Sequence, residues 1–433
     1  MASCSPTTAL LTDHYELTML EAALRSGAAS RRCVFEVFAR RLPPGRRYGV
    51  VAGTGRLVDA VTRFRFGDAE LESVRSLVDD TTLSFLADYR FDGHIWGYAE
   101  GECYFPGSPV LVVEADFAHG VVLETLVLSI LNHDSAIASA ASRMTSAAGD
   151  RPCIEMGSRR THEEAAVAAA RAAYIAGFAA TSNLEAGRRF GVPTGGTAAH
   201  AFTLLHDDER SAFAAQIAAL GKDTTLLVDT YDVTAAVELA VELAGPELGA
   251  VRLDSGDLLV QAREVRDQLD RLGARSTEIV VTSDLDEYAI AALAAGPVDR
   301  YGVGTSLVTG SGAPTAGMVY KLVAREDATG AMVGVAKLSA NKMSVAGRKY
   351  ALRRRDARGV AEAEVVGIGE PPANDGDDRS LLVSLVTGGE VVDGAATSLE
   401  AARVRHRESL AELPAEAHRL QRGEPVIPTE LRQ

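Results

Sequence analysis

Cysteine, lysine and long apolar runs are all scarce in this chain. Its 433 residues include four cysteines, Cys4, Cys33, Cys103 and Cys153, which stand far apart with no C-x-x-C pair. That spacing excludes a zinc-ribbon pattern and a disulfide framework, and it fits a reducing cytoplasm. The most apolar run, residues 121–131, is shorter than the ~20 residues that span a bilayer. It contains Glu124 and is followed at once by Asn132-His133-Asp134, so it reads as a buried core helix continuing through Ala140. No basic n-region or apolar h-region opens the sequence, and a cytoplasmic protein without a membrane partner is expected. The formal charge of −15 and a pI near 5.2 leave no basic face for nucleic acid or an anionic membrane. Any anion site must therefore be local. Only five lysines occur, and four of them (Lys321, Lys337, Lys342, Lys349) share one stretch, with Lys222 apart. The cluster suggests a phosphate-facing wall; the ordinary alternative is a solvated basic surface.

What is present is organised as strands whose ends carry polar chemistry. Residues 1 to about 120 mix short β-like runs (33–38, 48–52, 110–114) with helical segments at 18–26 and 68–79, a small α+β unit. From about 150 the pattern becomes strand then helix: 154–156, 178–183, 225–229, 251–254, 279–283, 301–304 and 319–323, with amphipathic helices such as 233–244 and 258–272 between them. Repeated βα units predict an α/β barrel or a doubly wound sheet, and polar residues at many strand ends favour the barrel. Thr161-His162-Glu163-Glu164 has capping-box spacing, which makes His162 a first-turn surface residue. The last hundred residues return to short strands (332–338, 350–353, 381–386), a Pro/Gly/Asp loop at 370–378, and a helix from Ser398 stopped by Pro414. A terminal region of that kind can rejoin the N-terminal unit. The predicted division is 1–125, 126–325 and 326–433.

Three strand ends carry the strongest chemistry. In Val251-Arg252-Leu253-Asp254-Ser255-Gly256-Asp257, a β-branched run opens onto a helix start. Arg252 and Asp254, two apart on an extended strand, share a face. Arg252 is suited to clamp a carboxylate or phosphate, and Asp254 with Asp257 to hold Mg2+ or sugar hydroxyls; the alternative is an ion pair beside an N-cap aspartate. Gly195-Gly196-Thr197-Ala198-Ala199-His200 places an imidazole after glycines, an arrangement suited to phosphoryl transfer to nitrogen. A plain glycine turn with a satisfied histidine competes with it. Gly302-Val303-Gly304-Thr305 follows a strand as a barrel phosphate loop does. In the adjacent pairs Arg159-Arg160 and Arg188-Arg189, at most one member is expected to face a site. Residues 76–82 imitate an acidic-pair phosphoribosyl loop but lack its β run and glycine, and are read as a decoy.

Taken in order, these motifs resemble the nicotinate phosphoribosyltransferase family nearly end to end. Thr12-Asp13-His14-Tyr15, Thr181-Ser182-Asn183-Leu184-Glu185, Gly196-Thr197-Ala198-Ala199-His200, Val228-Asp229-Thr230-Tyr231-Asp232, Arg252 to Asp257, Thr282-Ser283-Asp284 and Gly302 to Thr305 all match its pattern. Lys337, Ser339, Lys342 and Lys349 extend it more weakly. The resemblance implies an incomplete α/β barrel with an α+β open sandwich made from both chain ends. It also implies transfer of phosphoribosyl from phosphoribosyl pyrophosphate to nicotinate, with Mg2+, with ATP as co-substrate, and with no tightly bound organic cofactor. In that comparison His200 is the phosphorylated histidine and Arg252 the ligand of the pyridine carboxylate. Asp254, Ser255 and Asp257 serve the diphosphate, ribose and metal, and Gly302, Gly304 and Thr305 the 5′-phosphate. Thr197 and Arg159 contact substrate, Phe178 is a possible ring contact, and Tyr15 stacks on the pyridine, often across a homodimer interface with shared active sites. Ala346 stands where a proline is expected. The competing readings are a nicotinamide-specific transferase on the same fold, a sugar-phosphate aldolase or isomerase, and a non-catalytic nucleotide-binding homologue.

Overall fold

The structure, a computed structural model, describes residues 7–337, 344–392, 394 and 398–432. Its contacts divide the chain into two units, residues 1–139 with 313–433, and residues 140–312.

The first unit is built from both ends of the chain. A seven-stranded antiparallel sheet runs in the order Met332–Gly334, Met318–Glu326, Arg32–Ala39, Leu111–Asp116, His94–Tyr98, Leu382–Thr387, Glu390–Val391. The expected strand at 319–323 lies here and does not continue the barrel: Val37 pairs antiparallel with Tyr320 and Phe38 with Val319. Its alternating apolar residues suit a half-covered antiparallel sheet as well as a buried parallel one. A four-stranded sheet, Arg379–Ser380, Lys349–Arg355, Ala361–Ile368 and Thr429–Arg432, completes the C-terminal part. The apolar run at 121–131 starts at the end of the helix Phe117–Val121 and continues into the helix Glu124–Ala148, and 67% of the apolar window within Phe117–Ala148 is buried inside the protein, as a core helix requires. In the decoy segment, Asp79 caps the helix Asp80–Asp88 by accepting from Thr82 N at 2.8 Å.

Two of the four clustered lysines, Lys349 and Lys321, are engaged within the protein and are not available as a phosphate wall. Lys349 is buried, and its ammonium donates to Glu36 Oε2 (2.7 Å), Val345 O (2.7 Å) and Gly347 O (3.1 Å), so all three protons are used inside the protein. Burial pushes Glu36 up to about 7 against the pull of that ammonium. Lys321 pairs with Glu124 at 3.4 Å, and Lys342 lies outside the described residues. A second buried ionic group joins the two ends of the chain. Arg353 is fully buried among Glu102, Glu364 and Glu412, while Arg379 donates to both Glu102 (2.6 and 3.0 Å) and Glu412 (3.0 and 2.6 Å). Removing one member of such a group strands buried charge, which is why both ends must fold together.

His406, on the helix Leu399–Ala411, gives this unit a pH dependence. Burial, with Arg403 nearby, lowers it to about 4 from its ordinary 6.5, so it folds neutral. Between those values the unfolded chain binds a proton that the folded chain does not, and stability falls as pH falls through that window, by roughly 3 kcal/mol at most. The Tm of the parent is expected to fall more steeply over this range than that of His406→Gln; parallel curves would show that His406 is charged in the folded protein.

The second unit is a curled parallel sheet in the order Ala180–Thr181, Cys153–Glu155, Arg300–Val303, Glu278–Val281, Ala250–Leu253, Thr225–Leu227. Its edge strands do not pair with each other, so the α/β barrel is incomplete. Short polar side chains cap the helices that leave the strand ends: Asn183, Asp232, Asp257 and Asp286 each accept from a first-turn backbone N–H. The helix Val233–Ala244 has the bounds its periodicity predicts. At Glu163–Ile175 the cap is His162, whose ring accepts from Glu164 N at 3.3 Å, and not Thr161.

Candidate active site

Arg252 ties together the C-terminal ends of two strands and the loop that leads to His200. It is the last but one residue of Ala250–Leu253, and its side chain is only 12% exposed. Nε donates to Thr282 Oγ1 (2.9 Å), Nη1 to Thr197 Oγ1 (2.8 Å) and Ala198 O (3.2 Å), and Nη2 to Asp254 Oδ1 (2.9 Å). Every guanidinium nitrogen thus has a protein partner, a use of the planar fork that lysine cannot reproduce. Thr282 also donates to Asp254 Oδ1. Burial raises the proton affinity of Asp254, but the Thr282 hydrogen bond and the Arg252 charge outweigh it and hold the carboxyl below its ordinary range.

His200 begins the helix His200–Leu205 and is 40% exposed. Its Nδ1 lies 3.2 Å from Thr230 Oγ1, and its Nε2 3.9 Å from Asp229 Oδ1 and 3.8 Å from Asp254 Oδ2. Asp229 stands in a motif read from the sequence but is given no role there. Its side chain is 2% exposed; Oδ2 accepts from Asp254 N (3.0 Å) and Ser255 Oγ (2.6 Å), while Oδ1, facing the imidazole, has no hydrogen-bond partner. A buried, half-satisfied carboxylate is costly unless something pairs with it. No protein atom lies within 4 Å of where a Cβ would sit at Gly195 or Gly196, so packing within the chain does not demand glycine ahead of His200.

Beside this group lies a cavity of about 200 Å3 lined by Arg159, Arg160, Arg252, Asp254, Thr282, Ser283, Asp284, Gly302, Gly304 and Thr305 together with Met156. Both arginines of the first pair line it; they lie in a 3-10 turn, Ser158–Arg160, where successive side chains are about 120° apart and not on opposite faces as in extended chain. Arg188 and Arg189 instead pair with Glu185 and Glu164 as surface residues. Gly302 is required by space: a Cβ there would lie 2.5 Å from Thr282 Cγ2 and 2.8 Å from Met156 Sδ. Ser283 stands at φ 111°, a conformation that costs an L-residue about 1–3 kcal/mol and that collects at functional sites.

The structure therefore brings together His200, Arg252, Asp254, Ser255 and Thr197, with Arg159, Gly302, Gly304 and Thr305 around the same cavity. It does not bring in Phe178, which is fully buried and precedes Ala180–Thr181, at the strand end opposite the chemistry. Asp257 accepts from Val260 N (3.2 Å) as a helix cap, the ordinary role for an aspartate there. Tyr15 belongs to the first unit, on the first turn of His14–Ser26, 44% exposed. Partial burial, then Glu124 and Glu16, push its phenol up to about 12. Arg160 and Asp284 had sequence signals, the arginine pair and the Thr-Ser-Asp motif. Asp229 lay in the Val228-Asp229-Thr230-Tyr231-Asp232 motif, with no role assigned to it.

Comparison with known proteins agrees with this geometry. Residues 10–132 match the family model of the nicotinate phosphoribosyltransferase N-terminal domain. The chain is 62% identical to nicotinate phosphoribosyltransferase pncB1 of Mycobacterium tuberculosis, over 97% of this chain and 94% of that one. It is 37% identical to nicotinate phosphoribosyltransferase of Bacillus subtilis, over 79% and 72% of the two chains. The crystal structure of human nicotinic acid phosphoribosyltransferase is similar with a TM-score of 0.83 at 27% identity, covering 98% of each chain. The chain belongs to the nicotinate phosphoribosyltransferase family.

Proposed function

We propose that this protein transfers phosphoribosyl from phosphoribosyl pyrophosphate to nicotinate, giving nicotinate mononucleotide and pyrophosphate. We further propose that ATP hydrolysis is coupled to the transfer through phosphorylation of His200, the chemistry of an ATP-hydrolysing C–N ligase in NAD salvage. One observation carries the reading: in a chain of net charge −15, three arginines, Arg159, Arg160 and Arg252, line a single cavity with the Gly302–Gly304–Thr305 loop. That is a site for a polyanion.

As the anomeric C–O bond breaks, positive charge grows on the ribose and negative charge on the departing pyrophosphate, while the nicotinate ring nitrogen supplies the electron pair to the anomeric carbon. Arg252, already held by the protein, and the loop groups meet the negative charge with little reorganisation, and Arg159 and Arg160 add positive charge at the cavity. On this reading Asp254 and Asp229 would stand beside the forming cation. Nicotinate needs positioning more than deprotonation, and Tyr15 of a second copy is our proposal for the stacking partner of its ring. Leu10 and Leu11, exposed near Tyr15 in the sequence, fit such a homodimer contact. For Mg2+, the orphaned Oδ1 of Asp229 and the neighbouring Asp254 form a fitting pair, since Mg2+ takes one or two carboxylates plus phosphate oxygens. Asp257 is occupied as a cap. When bound, the ion would supply neutralisation of the pyrophosphate charge.

The test is formation of nicotinate mononucleotide from labelled nicotinate and phosphoribosyl pyrophosphate with Mg2+, with and without ATP, and with nicotinamide as competitor. Product that rises with ATP is expected. Product from nicotinamide alone would move the assignment to the amide-using transferase, and no product from either base would leave a binding protein.

A further inference from the structure

Glu155 ends the strand Cys153–Glu155 and has no exposed surface. Its carboxylate accepts from Thr181 Oγ1, at the end of the neighbouring strand, and from Gly157 N. No ion pair reaches it among the described residues. Burial raises its proton affinity, against those two hydrogen bonds. A buried acid with no cation is an expensive element, so its two bonds are where its use must be sought.

Both bonds act on the turn that carries Arg159 and Arg160. Gly157 opens that turn and is clamped from one side by the carboxylate. A Cβ at Gly157 would lie 2.3 Å from Val308 Cγ1, 3.0 Å from Gly304 O and 3.1 Å from Glu155 Oε1, so only glycine lets the turn pack this closely against the Gly302–Gly304–Thr305 loop. Thr181 Oγ1 also accepts from Asn183 N (2.9 Å), and Asn183 Nδ2 donates to Ser158 Oγ (3.0 Å). Glu155 O accepts from Ser182 N, and Met156 N donates to Val303 O, both at 2.8 Å. The path Glu155, Thr181, Asn183, Ser158 returns to the same turn from the adjacent strand.

We propose that Glu155, through Thr181 and Gly157, is a positioning residue that sets the distance between the Arg159–Arg160 turn and the loop at Gly302–Thr305, and so governs affinity for the polyanionic phosphoribosyl pyrophosphate. This rests on the proposed reaction. Glu155→Gln puts an amide where two donors converge, and Thr181→Val removes the hydroxyl at nearly constant volume. Each variant is expected to raise the KM for phosphoribosyl pyrophosphate about tenfold, the scale of one charge-assisted hydrogen bond, with kcat and the KM for nicotinate changed less than about twofold. Thr181→Ser restores the parent value, and the double variant is no worse than either single one, as residues on one path require. An unchanged KM for phosphoribosyl pyrophosphate in Thr181→Val, a loss confined to kcat, or failure of Thr181→Ser to restore would each overturn the proposal, and Thr181→Val decides it if Glu155→Gln does not fold. Calorimetry with inorganic pyrophosphate separates the two readings. Tenfold weaker binding in the variants of a parent that makes no nucleotide would sink the substrate assignment while upholding the positioning role.

Discussion

Replacing His200 by alanine is expected to abolish phosphoenzyme and all stimulation by ATP, while slow ATP-independent transfer survives. The imidazole lies between Thr230 and the two carboxylates of Asp229 and Asp254, the latter hydrogen-bonded to Arg252. A phosphoryl group on that ring would place new negative charge beside Asp254 and the arginine cavity. Each ~1.4 kcal/mol of hydrolysis energy so captured shifts substrate affinity or the overall equilibrium tenfold. Asp229→Asn should leave the fold intact, since Oδ2 can still accept from Ser255, but it turns an amide toward His200. Phosphoenzyme formation is expected to slow by about 10²-fold, the usual size of a lost orienting or proton-handling group. Incubation with ATP labelled in the γ-phosphate, followed by alkaline-stable protein labelling, reads both variants. Unchanged labelling of His200→Ala would remove His200 from the mechanism.

Arg252→Ala carries the second large effect. The resemblance alone suggests a pyridine-carboxylate ligand, whose loss would raise the KM for nicotinate. The structure adds three intramolecular duties, to Thr197 and Ala198, to Thr282, and to Asp254. Deleting the guanidinium leaves a partly buried carboxylate unpaired and frees the segment leading to His200. We therefore expect kcat to fall along with the rise in KM, a loss of about 3 kcal/mol or on the order of 10²-fold in kcat/KM. Arg252→Lys returns one charge but not the three-way fork, so it should recover the KM more than the kcat. Parent-like kinetics in both variants would show that Arg252 neither binds nor organises.

Residues two apart on a strand were readable as a pair because the strand period is fixed, which is how Arg252 and Asp254 emerged together. The helix after Asp232 was readable from its apolar spacing. Asp229 was not, because its meeting with Asp254 and Ser255 depends on the parallel register that aligns Leu227 with Arg252, a relation no local pattern expresses. Phe178 was misplaced for the same kind of reason: an aromatic before a strand looks like one after it until the direction of the barrel is known. The arginine pair at 159–160 misled in the other direction, since the rule that one of two neighbours faces a site holds for extended chain and fails in a 3-10 turn.

By itself the sequence determined that this is an acidic α/β protein with polar strand ends and, through seven motifs in order, its family. Composition and short-range periodicity suffice for the class, because both act within a few residues; the family rests on the resemblance of the motifs. Tertiary structure alone decided that Met318–Glu326 pairs with Arg32–Ala39, that Lys349 is spent inside the protein, and that Asp229 turns an unpartnered oxygen toward His200. Each of these depends on which distant segments share a surface, and burial, which sets the cost of an unpaired charge, exists only once they do.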